Sequence, residues 1–577
     1  MQFAGSKGEF KMIKGIAASS GISIGKALKK EHIEINVEKK SISDIDAEKA
    51  KFAAAIGKAK AEISDLVTLT KENIGEDESK VFEAHLMILE DPEVASRVNE
   101  GLETQKLCVE YIYNQVTDSF IDMFMQIPDE YLRERAHDLK DVRDRVIRHL
   151  LGIIVRDYSQ LKENAIIIAH DLTPSDTASL DKAHTIGFIT EIGGSTSHSA
   201  IMARTLEIPA VVGTGDIMSQ VEEGQMVILD GDAGIVIVGP SEAEIQHYTQ
   251  LKEEREAFIK ALEKLKGQAT SSKDGHTVEL AANIGSPNDL EGVLKYDAEG
   301  VGLYRTEFLY MDRANWPTEE EQFQAYKKVA QGLQGKPVVI RTLDIGGDKK
   351  LDYYQMPEEM NPFLGYRAVR LCLDQVDIFK TQLRAIMRAS HYGNIRIMFP
   401  MISSVEEIRQ VKAILAEVKT ELQAEGKPFN PETQVGIMIE IPAAAVIADL
   451  LAKEVDFFSI GTNDLIQYTV AVDRMNHKIS YLYNPFNPAV LRLINGVIQA
   501  AHRQGIWVGM CGETAGNPLL IPLYLAMGLD EFSMTPSAIL KARWIISKQS
   551  KADLQAVLEK VLDTPTAEEI KSICESL

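Results

Sequence analysis

The residues best suited to chemistry begin with Gly193-Gly194-Ser195-Thr196-Ser197-His198-Ser199-Ala200-Ile201-Met202-Ala203-Arg204. An apolar run over residues 184–190 precedes this stretch and a helical pattern follows it, so it reads as strand, glycine turn, helix start. Hydroxyls crowd one histidine at the turn. Backbone N–H groups at a helix start favour an anion. An imidazole held there in one tautomer by a hydroxyl or carbonyl keeps its other nitrogen free as a nucleophile. The alternative is a loop histidine bonded to its neighbours, and the rest of the chain decides between them.

A second set of chemical residues stands at the ends of short apolar runs in the C-terminal half. Arg305 and Glu307 follow one run, and Arg341, Asp344 and Lys349 follow the next. Further on come Glu440, then Asn463 and Asp464 with Arg474 ten residues later, then Cys511 and Glu513. Three arginines and a lysine on one rim are costly to assemble unless an anion belongs there, and the arginine fork suits phosphate or carboxylate. Glu440 and Asp464 could supply the one or two carboxylates that Mg²⁺ takes from protein. The set describes a site for a small, highly anionic phosphate ester with Mg²⁺; the competing account is a ring of solvated or mutually paired rim charges. Cys511 reads either as a buried small hydrophobe or, from its place on the polar rim, as a proton-transfer group.

These residues need a frame. From residue 270 onward eight apolar runs alternate with helical stretches, the count that a (β/α)₈ barrel requires, with near-continuous apolar character as expected of strands buried on both faces. Polar residues gather at the far end of each run, where barrel active sites form. The N-terminal half reads as an α/β domain over residues 12–42 and 153–240, with strand-like runs and a glycine-rich hairpin at 225–238. Residues 43–152 carry helical periodicity over 47–70, 78–89, 94–124 and 129–151, and read as an inserted helical bundle. Residues 241–269 read as a linker helix and 270–577 as the barrel. Residues 1–11 read as an expression leader ahead of a more natural start at Met12.

Composition narrows the partners. A chain of 577 residues needs several domains. Its net charge of −23, from 62 basic and 85 acidic residues, leaves no basic excess to neutralise nucleic acid. Four dispersed cysteines without a CxxC pair suggest a reducing, cytoplasmic setting and no zinc site. No apolar run is long enough for membrane insertion.

Five segments then carry a resemblance: Gly193 to Arg204, Asp171-Leu172-Thr173-Pro174-Ser175-Asp176-Thr177, Val301 to Leu309, Asn361-Pro362-Phe363-Leu364-Gly365-Tyr366-Arg367, and Phe457 to Leu465. They resemble the phosphoenolpyruvate (PEP)-utilising enzymes, in the enzyme I pattern of the bacterial PEP:sugar phosphotransferase system, from residue 12 onward. The histidine motif and barrel alone are shared with pyruvate phosphate dikinase and PEP synthase, but the chain has no GxxxxGK[ST] loop and no spare length for a nucleotide-binding domain. The resemblance implies that His198 takes phosphate from PEP on Nε2 and passes it to a histidine of the phosphocarrier protein HPr, with Thr177 fixing its tautomer. It implies that Arg305, Arg341, Lys349, Asp464 and Arg474 hold PEP with Asn463 assisting, that Glu440 and Asp464 bind Mg²⁺, and that Cys511 protonates the enolate. The bundle would dock HPr and the barrel would form a homodimer. One residue departs from the family pattern: Ser195 stands where an arginine is usual, which removes a positive charge beside the nucleophile. A PEP-sensing scaffold without turnover is the non-enzymatic alternative, and the full catalytic set argues against it.

Overall fold

Short β-branched runs in the first half of the chain build one mixed sheet. The computed structural model describes residues 11–30, 36–73, 76–126, 130–153, 158, 161–181, 183–194, 197–311, 313–347, 349, 351–476 and 478–577. Residues 1–10 lie outside this set, and with them most of the stretch expected to be a leader, as does Ser195. The chain forms two compact units that divide between Phe258 and Ile259.

In the first unit, eight strands form the sheet: β1 (Lys11–Lys14), β2 (Ile16–Ser19), β3 (Ile22–Lys29), β4 (Ala165–Ala169), β5 (Thr185–Thr190), β6 (Ala210–Val212), β7 (Met226–Asp230) and β8 (Ile235–Val238). Their order is β1-β8-β7-β3-β4-β5-β6-β2. Strands β3 to β6 run parallel, and the β7–β8 hairpin joins β3 antiparallel. The pleat sends Ile167 and Ala169 of β4 into one apolar layer and Ile166 and Ile168 into another, so both faces of the strand are covered.

Strands β3 and β4 are neighbours in space, yet five helices lie between them in sequence: α1 (Ile45–Asn73), α2 (Glu76–Leu89), α3 (Pro92–Gln105), α4 (Val109–Met125) and α5 (Glu130–Leu151). They share a core that includes Phe52, Ile63, Leu102, Ile112 and Val146. The periodic stretch 94–124 is two helices rather than one. Lys106 turns left-handed at φ 53°, and the chain then crosses back, with Cys108 N–H donating to the Lys40 carbonyl at 2.8 Å. A glycine-free turn of this kind leaves no breaker in the sequence to signal it. The short helices α6 (Pro174–Ala178) and α7 (His198–Thr205) follow β4 and β5.

The helix Glu242–Glu263 spans the division between the units, and none of its residues is buried. It stops short of residue 269, and Gly267 takes a positive φ of 73° in the turn that follows.

The second unit is a closed, all-parallel barrel of eight strands: β9 (Glu279–Ile284), β10 (Gly300–Tyr304), β11 (Val338–Arg341), β12 (Ile395–Phe399), β13 (Val435–Ile439), β14 (Phe457–Ile460), β15 (Trp507–Met510) and β16 (Glu531–Met534). Each strand coincides with one of the apolar runs. Capping boxes at Thr318/Glu321 and Ser404/Glu407 start two of the outer helices by satisfying their first N–H groups. A layer of Leu303, Val339, Met398, Met438, Phe457 and Cys511 forms a separate apolar cluster of buried residues. The barrel is a filled core, in which Ser533 Oγ donates to Asn283 Oδ1 at 2.7 Å between neighbouring strands.

Candidate active site

At the C-terminal mouth of the barrel, a buried carboxylate gathers three cations. Asp344, three residues past β11, accepts from Arg367 Nη2 at 2.8 Å and pairs with Arg341 Nη1 at 3.2 Å and Lys349 Nζ at 3.4 Å. Burial pushes the Asp344 carboxyl up, but Arg341, Lys349 and Arg367 overwhelm that effect and hold it well below the usual range. Glu307 completes the arrangement, with Arg341 Nη2 at 2.6 Å and Lys349 Nζ at 3.6 Å. Burial works against the charge on Arg341, and Glu307 and Asp344 more than offset it. Two acids thus stand in for an anion among the cations.

Arg367 has no role in the sequence reading, although it ends one of the quoted segments. It reaches the site from the helix-and-turn region after β11, where its Nη2 lies 3.7 Å from Asp464 Oδ2 and its Nη1 donates to the Tyr468 hydroxyl at 3.4 Å. The signal available in sequence was an arginine following a Pro-Phe-Leu-Gly turn, with no strand end to mark it.

Glu440 and Asp464 follow β13 and β14. Glu440 Oε1 accepts the Met401 N–H at 2.6 Å. Burial, then Asp464 and Asp344, push the Glu440 carboxyl well above the usual range, and Arg341 and Arg367 only partly counter this. Asp464 Oδ1 is buried without a hydrogen-bond partner. Among the described residues no group of three or more His, Cys, Asp or Glu is placed to hold a metal ion. Mg²⁺ needs fewer protein ligands than that, since water and substrate phosphate complete its shell. An orphaned carboxylate oxygen beside a second, electrostatically stressed carboxylate is a donor set that fits such an ion.

The remaining rim residues surround this centre. Arg305 is exposed, and its guanidinium forms no ion pair among the described residues. Asn463 and Glu513 hold one another: Asn463 Nδ2 donates to Glu513 Oε1 and the Glu513 N–H donates to Asn463 Oδ1, both at 3.1 Å. The Arg474 N–H donates to Gln467 Oε1 at 3.1 Å, and its side chain lies beside the Tyr483 hydroxyl. Cys511 is buried at the end of β15, with its carbonyl accepting Asn283 Nδ2 at 3.0 Å. Burial pushes its thiol up to about 11, so it carries its proton at neutral pH.

The other chemical residues belong to the first unit. Gly193 takes φ +113°, a conformation that admits little but glycine, and turns the chain after β5. Ser197 caps α7, accepting the Ala200 N–H at 3.3 Å, and His198 is the first residue of that helix. Thr177 is buried in α6, where its hydroxyl is within bonding distance of the Thr173 and Pro174 carbonyls at 3.2 and 3.0 Å. With its proton so placed, Thr177 Oγ1 is left as an acceptor.

A barrel mouth that concentrates arginine, lysine and paired carboxylates near a buried thiol puts the chain among (β/α)₈ proteins whose polar groups gather at the C-terminal face of the barrel. Three segments match PEP-utilising enzymes: the N-terminal domain at residues 14–135, the mobile domain at 161–234 and the PEP-binding domain at 260–551. The chain is 54% identical over 560 residues to a phosphoenolpyruvate-protein phosphotransferase of Priestia megaterium, covering 97% of this chain and 98% of that protein. It is 53% identical over 558 residues to the protein of the same name from Bacillus subtilis, covering 97% and 98%. A solution structure of an enzyme I protein, 42% identical, covers 42% of this chain and 99% of its own, with a TM-score of 0.40. The chain belongs to the PEP-utilising enzyme family.

Proposed function

We propose that this chain is the enzyme that moves the phosphoryl group of PEP to its own His198 and then to a histidine of HPr, releasing pyruvate as the first step of phosphotransferase-system sugar uptake. The observation that carries this reading is identity above half, across both units, with proteins named phosphoenolpyruvate-protein phosphotransferase.

The residues divide the work. Arg341, Lys349 and Arg367, with Arg305 and Arg474 at the rim and Asn463 assisting, hold the phosphate and carboxylate of PEP. Glu440 and Asp464 would hold Mg²⁺, which when bound neutralises phosphate charge. Thr177 Oγ1 accepts the imidazole N–H and leaves Nε2 of His198 as the nucleophile. That nitrogen attacks phosphorus in line; the P–N bond forms as the P–O bond to the enolate breaks. The enolate methylene takes the proton of Cys511 Sγ, and the thiolate regains a proton from water. A thiol that is neutral at pH 7 is a donor in the protonation state the step needs. Most of the rate comes from positioning and charge stabilisation, which this chain's cations supply.

The helices α1 to α5 serve as the HPr dock, with Met87 and Met123 exposed on them. The barrel serves as the homodimer interface, where Met475 and Tyr481 stand exposed. The setting is cytoplasmic; among the described residues no helix is long and apolar enough to cross a membrane.

Labelled PEP is expected to leave acid-labile phosphate on His198 with Mg²⁺ present and far less with chelator. His198→Ala takes up no label and releases no pyruvate with HPr present. Turnover by that variant, or equal labelling from ATP, would return the reading to a scaffold or a dikinase. Because the nucleophile and the PEP site stand on separate units, the connecting helix must permit motion. Deleting one turn from 242–263 is expected to stop turnover while PEP binding by calorimetry persists. Loss of both together would remove the hinge idea.

A further inference from the structure

We propose that Glu279 and Glu531, at the end of the barrel opposite the active site, form a proton-sharing carboxyl pair that makes the stability of the barrel depend on pH. They open β9 and β16 and are direct partners in the parallel register. Parallel neighbours point to the same side of the sheet, here the barrel interior. Space is made for both: Gly302 and Gly509 lack the Cβ that would meet Glu531 Oε1, and Gly300 lacks the one that would meet Glu279 Oε1.

Glu531 is 2% exposed, and neither of its carboxylate oxygens has a hydrogen-bond partner. Glu279 Oε1 is likewise buried and unpartnered. Among the described residues neither acid forms an ion pair. Among the described residues one cation acts on both, Arg396 of β12, whose guanidinium sits 4.7 Å over the Trp507 ring, itself stacked on Phe457 at 4.5 Å. Two carboxylates and one guanidinium leave one negative charge uncompensated. A single proton held between the carboxyls neutralises it and supplies the missing hydrogen bond, since a protonated carboxyl donates and its partner accepts.

The other titratable groups nearby do not remove that charge: the Cys511 thiol, two residues past Gly509, the register partner of Glu531, is itself pushed up and stays protonated. Asp530, preceding Glu531, accepts the Val508 N–H and bonds His502 at 2.8 Å each. Glu299, facing Glu279, accepts the Leu280 N–H at 2.6 Å. Both add negative charge. Burial first, then Glu279 and Asp530, push the Glu531 carboxyl from 4.5 up to about 8, with Arg396 acting in the opposite sense. Burial and Glu299 raise Glu279 as well.

A carboxyl raised on folding binds its proton more tightly in the native state. Its stabilisation is complete below the unfolded value of 4.5, declines as pH rises, and is gone above about 8. The melting temperature of the barrel transition in the full chain is therefore expected to fall by roughly 3–5 °C between about pH 7 and 9. Glu531→Gln, and independently Glu279→Gln, should remove most of that slope. Infrared difference spectra at pH 7 between the wild type and Glu531→Gln should show a carboxylic-acid C=O band present only in the wild type. A slope unchanged in both variants, or no such band, overturns the proposal. So does a wild-type slope that depends on whether the buffer holds Na⁺ or K⁺, because a metal ion rather than a proton would then occupy the pair.

Discussion

Replacing Arg341 with alanine should lower kcat/KM for PEP by about 10³-fold, roughly 4 kcal/mol of lost transition-state stabilisation. Arg341 is buried, with one arm of its fork on Glu307 at 2.6 Å and the other on Asp344 at 3.2 Å. Under the proposed function the phosphate of PEP would compete for this same fork, so the loss would fall on the charge that moves during transfer. The substitution also breaks a buried pair and, among the described residues, leaves Glu307 with Lys349 at 3.6 Å as its one ion-pair partner, a change that costs about 3–5 kcal/mol of stability at sites of this kind. Arg341→Lys separates the two effects. A lysine restores the charge and much of the stability, but its single ammonium cannot span both carboxylates or grip phosphate bidentately. Its kcat/KM should stay at least 10-fold below wild type while its melting temperature recovers. Steady-state pyruvate release with HPr, beside thermal melts, checks both. If Arg341→Ala stays within a few-fold of wild-type kcat/KM, the anion site is elsewhere.

Much of this architecture is written in local pattern, and the exceptions have physical reasons. The barrel is legible because strands buried on both faces must be apolar throughout, so each of the eight runs stands out from its amphipathic helices. The rim acids and cations are legible because they interrupt those runs at one end. Arg367 is not, because its place depends on a long return of the chain after β11 that brings it to Asp344 and Asp464. The break at Lys106 is hidden for a similar reason: the tie between Cys108 and Lys40 is set by tertiary contact, without proline or glycine to announce it. Glu279 and Glu531 open two of the apolar barrel strands, and an acid at the head of such a strand was the available sign of a buried polar pair. The counter-anion role of Asp344 needed distances, since its position at a strand end suits a ligand to metal equally well.

That role leads to the prediction with opposite signs in two measurements. Asp344→Asn keeps the shape of the side chain but removes its charge from the centre of Arg341, Lys349 and Arg367. Three cations then face a neutral amide, and the site becomes more positive. Inorganic phosphate or sulfate, competing with PEP, should bind about 10-fold more tightly, since one extra unbalanced charge at this range is worth roughly 1.4 kcal/mol after screening. Turnover should move the other way, by about 10²-fold or more in kcat, because the carboxylate also fixes where each cation points. The Arg367 guanidinium is the most exposed to this loss: its 2.8 Å contact with Asp344 is its shortest polar contact among the described residues, and the alternative partner Asp464 stands off at 3.7 Å. A residue that only holds the fold together would weaken anion binding and turnover in parallel when changed. Inhibition constants for phosphate and kcat, measured on the same preparation, therefore decide whether Asp344 is an internal stand-in for the substrate anion or an ordinary buttress of the loop after β11.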